Sequence, residues 1–101
     1  MIKTIEAQRE ALDDLCSQYY VESLEVFGSA ATGHLREDSD LDFLVEFRTV
    51  DSMSLADQYF GLLEALERLF GRRVDLLTRR SLRNPYFVHS VEKTRQVLYA
   101  A

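Results

Sequence analysis

The seven residues from Leu41 to Phe47 constrain the fold more than any other stretch of the chain. Leu41, Phe43, Val45 and Phe47 alternate with Asp42, Leu44 and Glu46. Alternation with a period of two puts the first four on one face of a strand and the rest on the other. An apolar face of that kind needs a cover, and residues 54–70 can supply one. There Leu55, Tyr59, Leu62, Leu63, Leu66, Leu69 and Phe70 recur at helical spacing, the signature of an amphipathic helix. Ser54 with Asp57 resembles an N-terminal capping box, and Gly71 supplies the stop. Gly61 interrupts this helix at a cost of about 1 kcal/mol relative to alanine, which makes it a marker of close packing.

The remaining elements fit around this pair. Residues 4–20 read as one amphipathic helix whose stripe is Ile5, Leu12, Leu15, Cys16 and Tyr19, with Cys16 read as core. Residues 23–27 read as a short strand running into Gly28-Ser29, where a turn is easy. Ala30 to Ser39 reads as a short helical turn followed by a loop. Residues 73–78 make a third strand. Asn84-Pro85 has the form of a cap followed by proline at the first helical position, with a helix continuing to about Lys93. Val97-Leu98-Tyr99 fits a final short strand or a helix end equally well. The alternation of helices and strands argues for an α/β or α+β sandwich around one small sheet. The length of 101 residues suits one small domain, 1–101, with a marginal core that a partner subunit would help to stabilise.

Charge narrows the function. The net charge is −5, and it is uneven. Residues 1–50 carry 4 basic and 11 acidic side chains, while residues 51–101 carry 8 basic and 6 acidic. Proteins that grip nucleic acid nonspecifically are usually basic, so a long nucleic-acid substrate is disfavoured. Cys16 is the single cysteine, which excludes an internal disulfide and a zinc knuckle. No apolar run approaches the roughly 18 residues of a membrane span. Glu6, Arg9 and Glu10 interrupt any signal-peptide pattern. The cytoplasm is the default location.

The chemistry concentrates between Gly28 and Asp42. Asp40 and Asp42 share a parity at the start of the clearest strand, so both carboxylates project from one face. Two such charges side by side repel each other unless they are exposed or bind a cation. Magnesium takes oxygen ligands and often needs only one or two carboxylates plus substrate phosphates. Asp75 lies between Val74 and Leu76 in the third strand, where an unpaired charge is costly to bury. If that strand neighbours the second, Asp75 joins the other two. Gly28-Ser29 stands between a strand and a helical turn, where backbone N–H groups and the Ser29 hydroxyl can hold a phosphate. Each feature alone is weak: Asp-x-Asp is common in loops, and a plain turn explains Gly-Ser.

Their combination is specific. Gly28-Ser29, ten intervening residues and then Asp40-x-Asp42 resembles the signature of the nucleotidyltransferase superfamily that includes DNA polymerase beta. A carboxylate on a later strand, here Asp75, completes that family's metal site. In length and element order the chain resembles its short prokaryotic branch, the minimal nucleotidyltransferases. The resemblance implies an α+β nucleotidyltransferase fold, a small mixed sheet of three or four strands flanked by helices. It implies catalytic and metal-holding roles for Asp40, Asp42 and Asp75, two magnesium ions, ATP as nucleotide donor, and anchoring of the triphosphate by Gly28 and Ser29. One departure stands out: many relatives carry arginine where this chain has Thr32, and Arg36 is a nearby substitute.

The resemblance also implies a partner. Minimal nucleotidyltransferases of this kind resemble antitoxins encoded beside a HEPN-domain ribonuclease toxin, which they silence by adding AMP to a tyrosine hydroxyl. An acidic chain suits such a protein partner, in a hetero-oligomer, better than nucleic acid. The competing expectation is an antitoxin that neutralises its toxin by binding alone. A third, an enzyme acting on an RNA 3′ end or a small molecule, is weakened by the acidic surface and the lack of room for a second domain. His34 and His89 are expected to face solvent. Arg72, Arg73, Arg79, Arg80 and Arg83 form either a phosphate- or partner-contacting cluster or a solvated face.

Overall fold

The computed structural model describes residues 3–28, 31, 40–78 and 85–101. Its elements are α1 (Lys3–Ala7), α2 (Arg9–Gln18), β1 (Val21–Phe27), β2 (Leu41–Phe47), α3 (Leu55–Phe70), β3 (Val74–Thr78), α4 (Pro85–Thr94) and β4 (Gln96–Ala100). The four strands form one mixed sheet in the order β3-β2-β1-β4. β1 runs antiparallel to both β2 and β4, and β2 runs parallel to β3. The expected sandwich is therefore present, with helices on both faces.

The alternation in β2 sorts the two faces. Leu41, Phe43 and Val45 are fully buried in a large core with Ile5 of α1, Leu12 and Cys16 of α2, and Leu62 and Leu66 of α3. Phe43 stacks against Phe70 with ring centroids 5.9 Å apart. Leu44, of opposite parity, joins Phe27, Val91 of α4 and Leu77 in a smaller cluster on the other face. Thus α1, α2 and α3 cover one side of the sheet and α4 covers part of the other. Cys16 is buried as expected, and burial, reinforced by Asp13, pushes its thiol up to about 12, which keeps it an unreactive packing residue.

The local signals at α3 hold. The Ser54 hydroxyl accepts from the Asp57 N–H at 3.1 Å, and Gly71 closes the helix in the left-handed region at φ 65°. Gly61 does mark close packing. A Cβ there would drive into the Tyr19 ring, with Cζ at 3.0 Å. Gln58, almost wholly buried, donates to the carbonyls of Tyr19 at 3.1 Å and Arg48 at 3.0 Å, so α3 braces both the turn into β1 and the end of β2.

One expectation is corrected, one is qualified and one open alternative is resolved. The N-terminal helix is not continuous: α1 and α2 are separated at Gln8, whose φ of −109° and ψ of 16° leave the helical region. Leu55 belongs to the helical repeat of α3 but, as the first residue of the helix, is 59% exposed. The C-terminal ambiguity resolves as strand. Residues 96–100 pair with β1, and that ladder satisfies a backbone that five residues of helix would leave mostly unbonded. The expected turn and loop from Ala30 to Ser39 lies outside the described residues, apart from Ala31.

Candidate active site

The site is assembled where β2 and β3 begin. Because they are parallel and in register, Leu41 pairs with Val74, Asp42 with Asp75 and Phe43 with Leu76. Register partners on adjacent strands share a face, so Asp42 and Asp75 lie side by side on the face that Leu44 and Leu77 also occupy. Asp40 immediately precedes β2 and is exposed, as is Asp75, while Asp42 is half-buried. The sheet thus brings together two aspartates that are 33 positions apart in the chain, with the third next to them.

Their mutual influence shows in Asp42. Its carboxyl is pushed up to about 6, first by burial, then by the negative charge of Asp75 and then by that of Asp40. A carboxylate that resists ionisation for want of positive charge is a strong acceptor for a cation. Among the described residues no group of three His, Cys, Asp or Glu side chains forms a metal-holding set by itself. The donors are nevertheless hard oxygens in a partly desolvated, electronegative position. That suits magnesium, which is commonly held by one or two carboxylates with substrate phosphates completing its shell.

Gly28 closes the site from the β1 side. Phe27 pairs with Asp42 across the β1–β2 ladder, so Gly28 leaves β1 directly beside that carboxylate. Its φ is +70°, and a Cβ at this position would stand 2.7 Å from Asp42 Oδ2. Glycine is needed here on two counts, a left-handed backbone and close approach to the acid. The Gly28 N–H donates to Thr94 Oγ1 at 3.0 Å, so this particular donor is engaged within the protein. Ser29, Thr32, His34, Arg36, Arg79, Arg80 and Arg83 lie outside the described residues. His89 is exposed on α4, Arg73 is exposed and Arg72 half-buried.

Two residues near the site were missed in the sequence. Tyr59 of α3 donates its hydroxyl to the Leu76 carbonyl at 2.6 Å, and its own proton is held more tightly through burial and the Asp75 charge. It had registered only as one member of an apolar stripe. Thr94 carried no signal at all, since nothing in local spacing connects it to a glycine 66 residues away. A cavity of about 590 Å³, lined in part by Val45, Arg48, Met53, Leu55 and Gln58, lies toward the opposite end of β2 and contains none of the three aspartates.

Residues 8–98 match the model of the nucleotidyltransferase domain family. The chain belongs to that family. Among its relatives is protein adenylyltransferase MntA of Thermococcus cleftensis, 38% identical over 88 residues, covering 85% of this chain and 81% of that protein. A solved structure provisionally described as a minimal nucleotidyltransferase is 39% identical, with a TM-score of 0.74, covering 93% of this chain and 92% of the other. A crystal structure of a toxin–antitoxin with AMP-PNP aligns at a TM-score of 0.69 over 92% of this chain and 73% of that one; at 19% identity it establishes a shared fold. This nucleotidyltransferase therefore has the α+β fold that its motif implied. No helix among its described residues is long and apolar enough to cross a membrane.

Proposed function

We propose that this nucleotidyltransferase moves AMP from ATP onto a hydroxyl of a protein partner, a HEPN-type ribonuclease toxin, and so acts as its antitoxin. The observation that carries the catalytic part is the pairing of Asp42 with Asp75 on adjacent parallel strands, with the Asp42 carboxyl pushed up to about 6. The protein acceptor is supported by the relative named protein adenylyltransferase MntA, and the antitoxin role by the shared fold of the toxin–antitoxin structure. The acidic balance of the chain also favours a protein partner over nucleic acid.

Asp40, Asp42 and Asp75 are the residues that would hold magnesium. Bound there, the ion would neutralise phosphate charge and stabilise the entering and leaving oxygens of an in-line displacement. Gly28 keeps the space beside Asp42 open, and Ser29 anchors the triphosphate. The acceptor oxygen forms a bond to the α-phosphorus, the bond from that phosphorus to the α,β-bridging oxygen breaks, and pyrophosphate departs. Asp75, the more exposed of the strand-paired acids, assists loss of the hydroxyl proton to solvent. Asp40 and Asp75 are exposed, so a hydroxyl carried on a partner protein can approach them.

The test is transfer of label from α-labelled ATP to a purified HEPN-type ribonuclease toxin from the same organism, with magnesium present. The wild type should label that protein, and Asp42→Asn should reduce labelling by about a thousandfold, the scale on which loss of about 4 kcal/mol of transition-state stabilisation acts. Full labelling by Asp42→Asn would refute the metal role. Protection of cells by an Asp40→Asn/Asp42→Asn double variant would instead indicate neutralisation by contact.

A further inference from the structure

The Gly28–Ala31 turn is held at both ends by one short segment from the far end of the sequence. At its start, the Gly28 N–H donates to Thr94 Oγ1 at 3.0 Å. At its end, Gln96 Nε2 donates to the Ala31 carbonyl at 2.9 Å. The turn is closed internally by the Ala31 N–H donating to the Gly28 carbonyl at 3.2 Å. Thr94 ends α4 and Gln96 begins β4, so the two grips sit at one rigid junction. Arg95, between them, pairs with the nearly buried Glu25 of β1 at 3.6 Å and with Glu92 at 3.3 Å. Gln96 also pairs with Val26 across the β1–β4 ladder. The junction is therefore tied to the same strand from which the turn emerges.

We infer that Thr94 and Gln96 are positioning residues for the nucleotide, holding Gly28 and Ala31 so that Gly28 keeps a fixed place beside the Asp42 carboxylate. This rests on the reading of Gly28 and Ser29 as the triphosphate anchor. The physical need is clear at Gly28. A glycine with positive φ has wide conformational freedom, and a loose turn would have to be ordered each time ATP bound, weakening affinity by that ordering cost. Two hydrogen bonds from a junction fixed by a strand ladder and an ion pair pre-order it. The Gly28 N–H, engaged by Thr94, serves the geometry of the turn.

The variants Thr94→Val, Thr94→Ser and Gln96→Met separate this role from packing. Valine keeps the shape of threonine without its acceptor oxygen, and serine keeps the oxygen without the methyl. ATP affinity in the presence of magnesium would be measured by calorimetry on the full chain, with the amide exchange rates of Gly28 and Ala31 measured by NMR. Thr94→Val should weaken ATP binding about tenfold, the scale of one lost hydrogen bond, and speed exchange at Gly28. Thr94→Ser should restore both to within about twofold. Gln96→Met should weaken binding severalfold, and it stands as the test if Thr94→Val does not fold. ATP affinity equal to wild type in both Thr94→Val and Gln96→Met would overturn the clamp, as would equal weakening by valine and serine. A wild type that binds no ATP would remove the nucleotide reading and this inference with it, while faster Gly28 exchange in Thr94→Val would still report the hydrogen bond. The two failures are therefore distinguishable.

Discussion

The two faces of β2 are built to opposite rules. On one, Leu41, Phe43 and Val45 are fully buried among α1, α2 and α3. On the other, Leu44 is buried against Val91 and Phe27, but Asp42, one position from Phe43, is only half-buried and beside two more acids. A single strand therefore carries stability on its odd positions and chemistry on its even ones. What separates the two is how far each face is covered. Three helices pack against the first face, whereas among the described residues Val91 of α4 packs on the second and Asp40 and Asp75, at the beginnings of β2 and β3, are exposed. The contrast teaches that electrostatic repulsion is tolerated on the second face, at a position where an apolar residue would have packed on the first.

The sharpest way to break this comparison is to mutate the adjacent pair. Phe43→Ala removes a fully buried ring stacked on Phe70, and the cavity left behind should cost about 3–5 kcal/mol. Urea denaturation followed by circular dichroism reads that loss. Asp42→Asn, next along the chain, should show no destabilisation in the same measurement. Equal losses from the two substitutions would mean that the open face contributes to the fold as the closed face does.

Much of this division was legible in the sequence. The alternation in β2 named both faces, Ser54 and Gly71 marked the ends of α3, and the Asp-x-Asp element picked out the acids that the sheet sets beside Asp75. These are local signals, carried by periodicity or by one residue's conformational preference. What the sequence withheld depends on contacts between distant segments. Parity placed Asp40 and Asp42 together, but only the β2–β3 register brings Asp75 beside them. The break at Gln8 involves neither glycine nor proline, so no breaker announced it. β4 is too short to declare a period and is settled by its pairing with β1. Thr94 touches Gly28 through the fold alone.

Gly28 lies where the two faces trade roles, and its substitution probes the open face more finely. In Gly28→Ala the added methyl would stand 2.7 Å from Asp42 Oδ2, at a φ of +70°. The backbone conformation alone costs an L-residue about 1–2 kcal/mol, and either the turn or the carboxylate must also shift. A loss of about 2 kcal/mol in urea midpoint experiments is expected, together with weaker ATP binding. Gly71→Ala provides the comparison, because it shares the left-handed φ, at 65°, but a Cβ there meets nothing within 4 Å. It should therefore cost only the conformational part, and it should leave ATP affinity unchanged. Matching effects from the two glycines would show that proximity to Asp42 is immaterial.

The smallest effect is the one that runs against intuition. Asp42 has its carboxyl raised from 3.8 to about 6 by burial, Asp75 and Asp40. The folded state therefore binds a proton at Asp42 more tightly than the unfolded chain does, and Asp42 lowers stability as pH rises from about 4 through 6. Below that window the acid is neutral in both states and carries no penalty; above it the penalty is complete. A full conversion of the shift would overstate the cost, since the side chain is only partly withdrawn from solvent, whose screening leaves a value on the order of 1 kcal/mol. Asp42→Asn mimics the neutral acid. Without divalent cations it should melt a few degrees above the wild type at pH 8 and together with it at pH 3.5, since on the order of 1 kcal/mol moves the midpoint of a domain this size by that much. Magnesium should narrow the gap at pH 8 by stabilising the wild type alone, because a ligand that binds only the folded state raises its stability. A wild type that melts above Asp42→Asn at pH 8 without magnesium would mean that the three acids do not repel one another in the folded protein, and the open face would then need no cation to balance it.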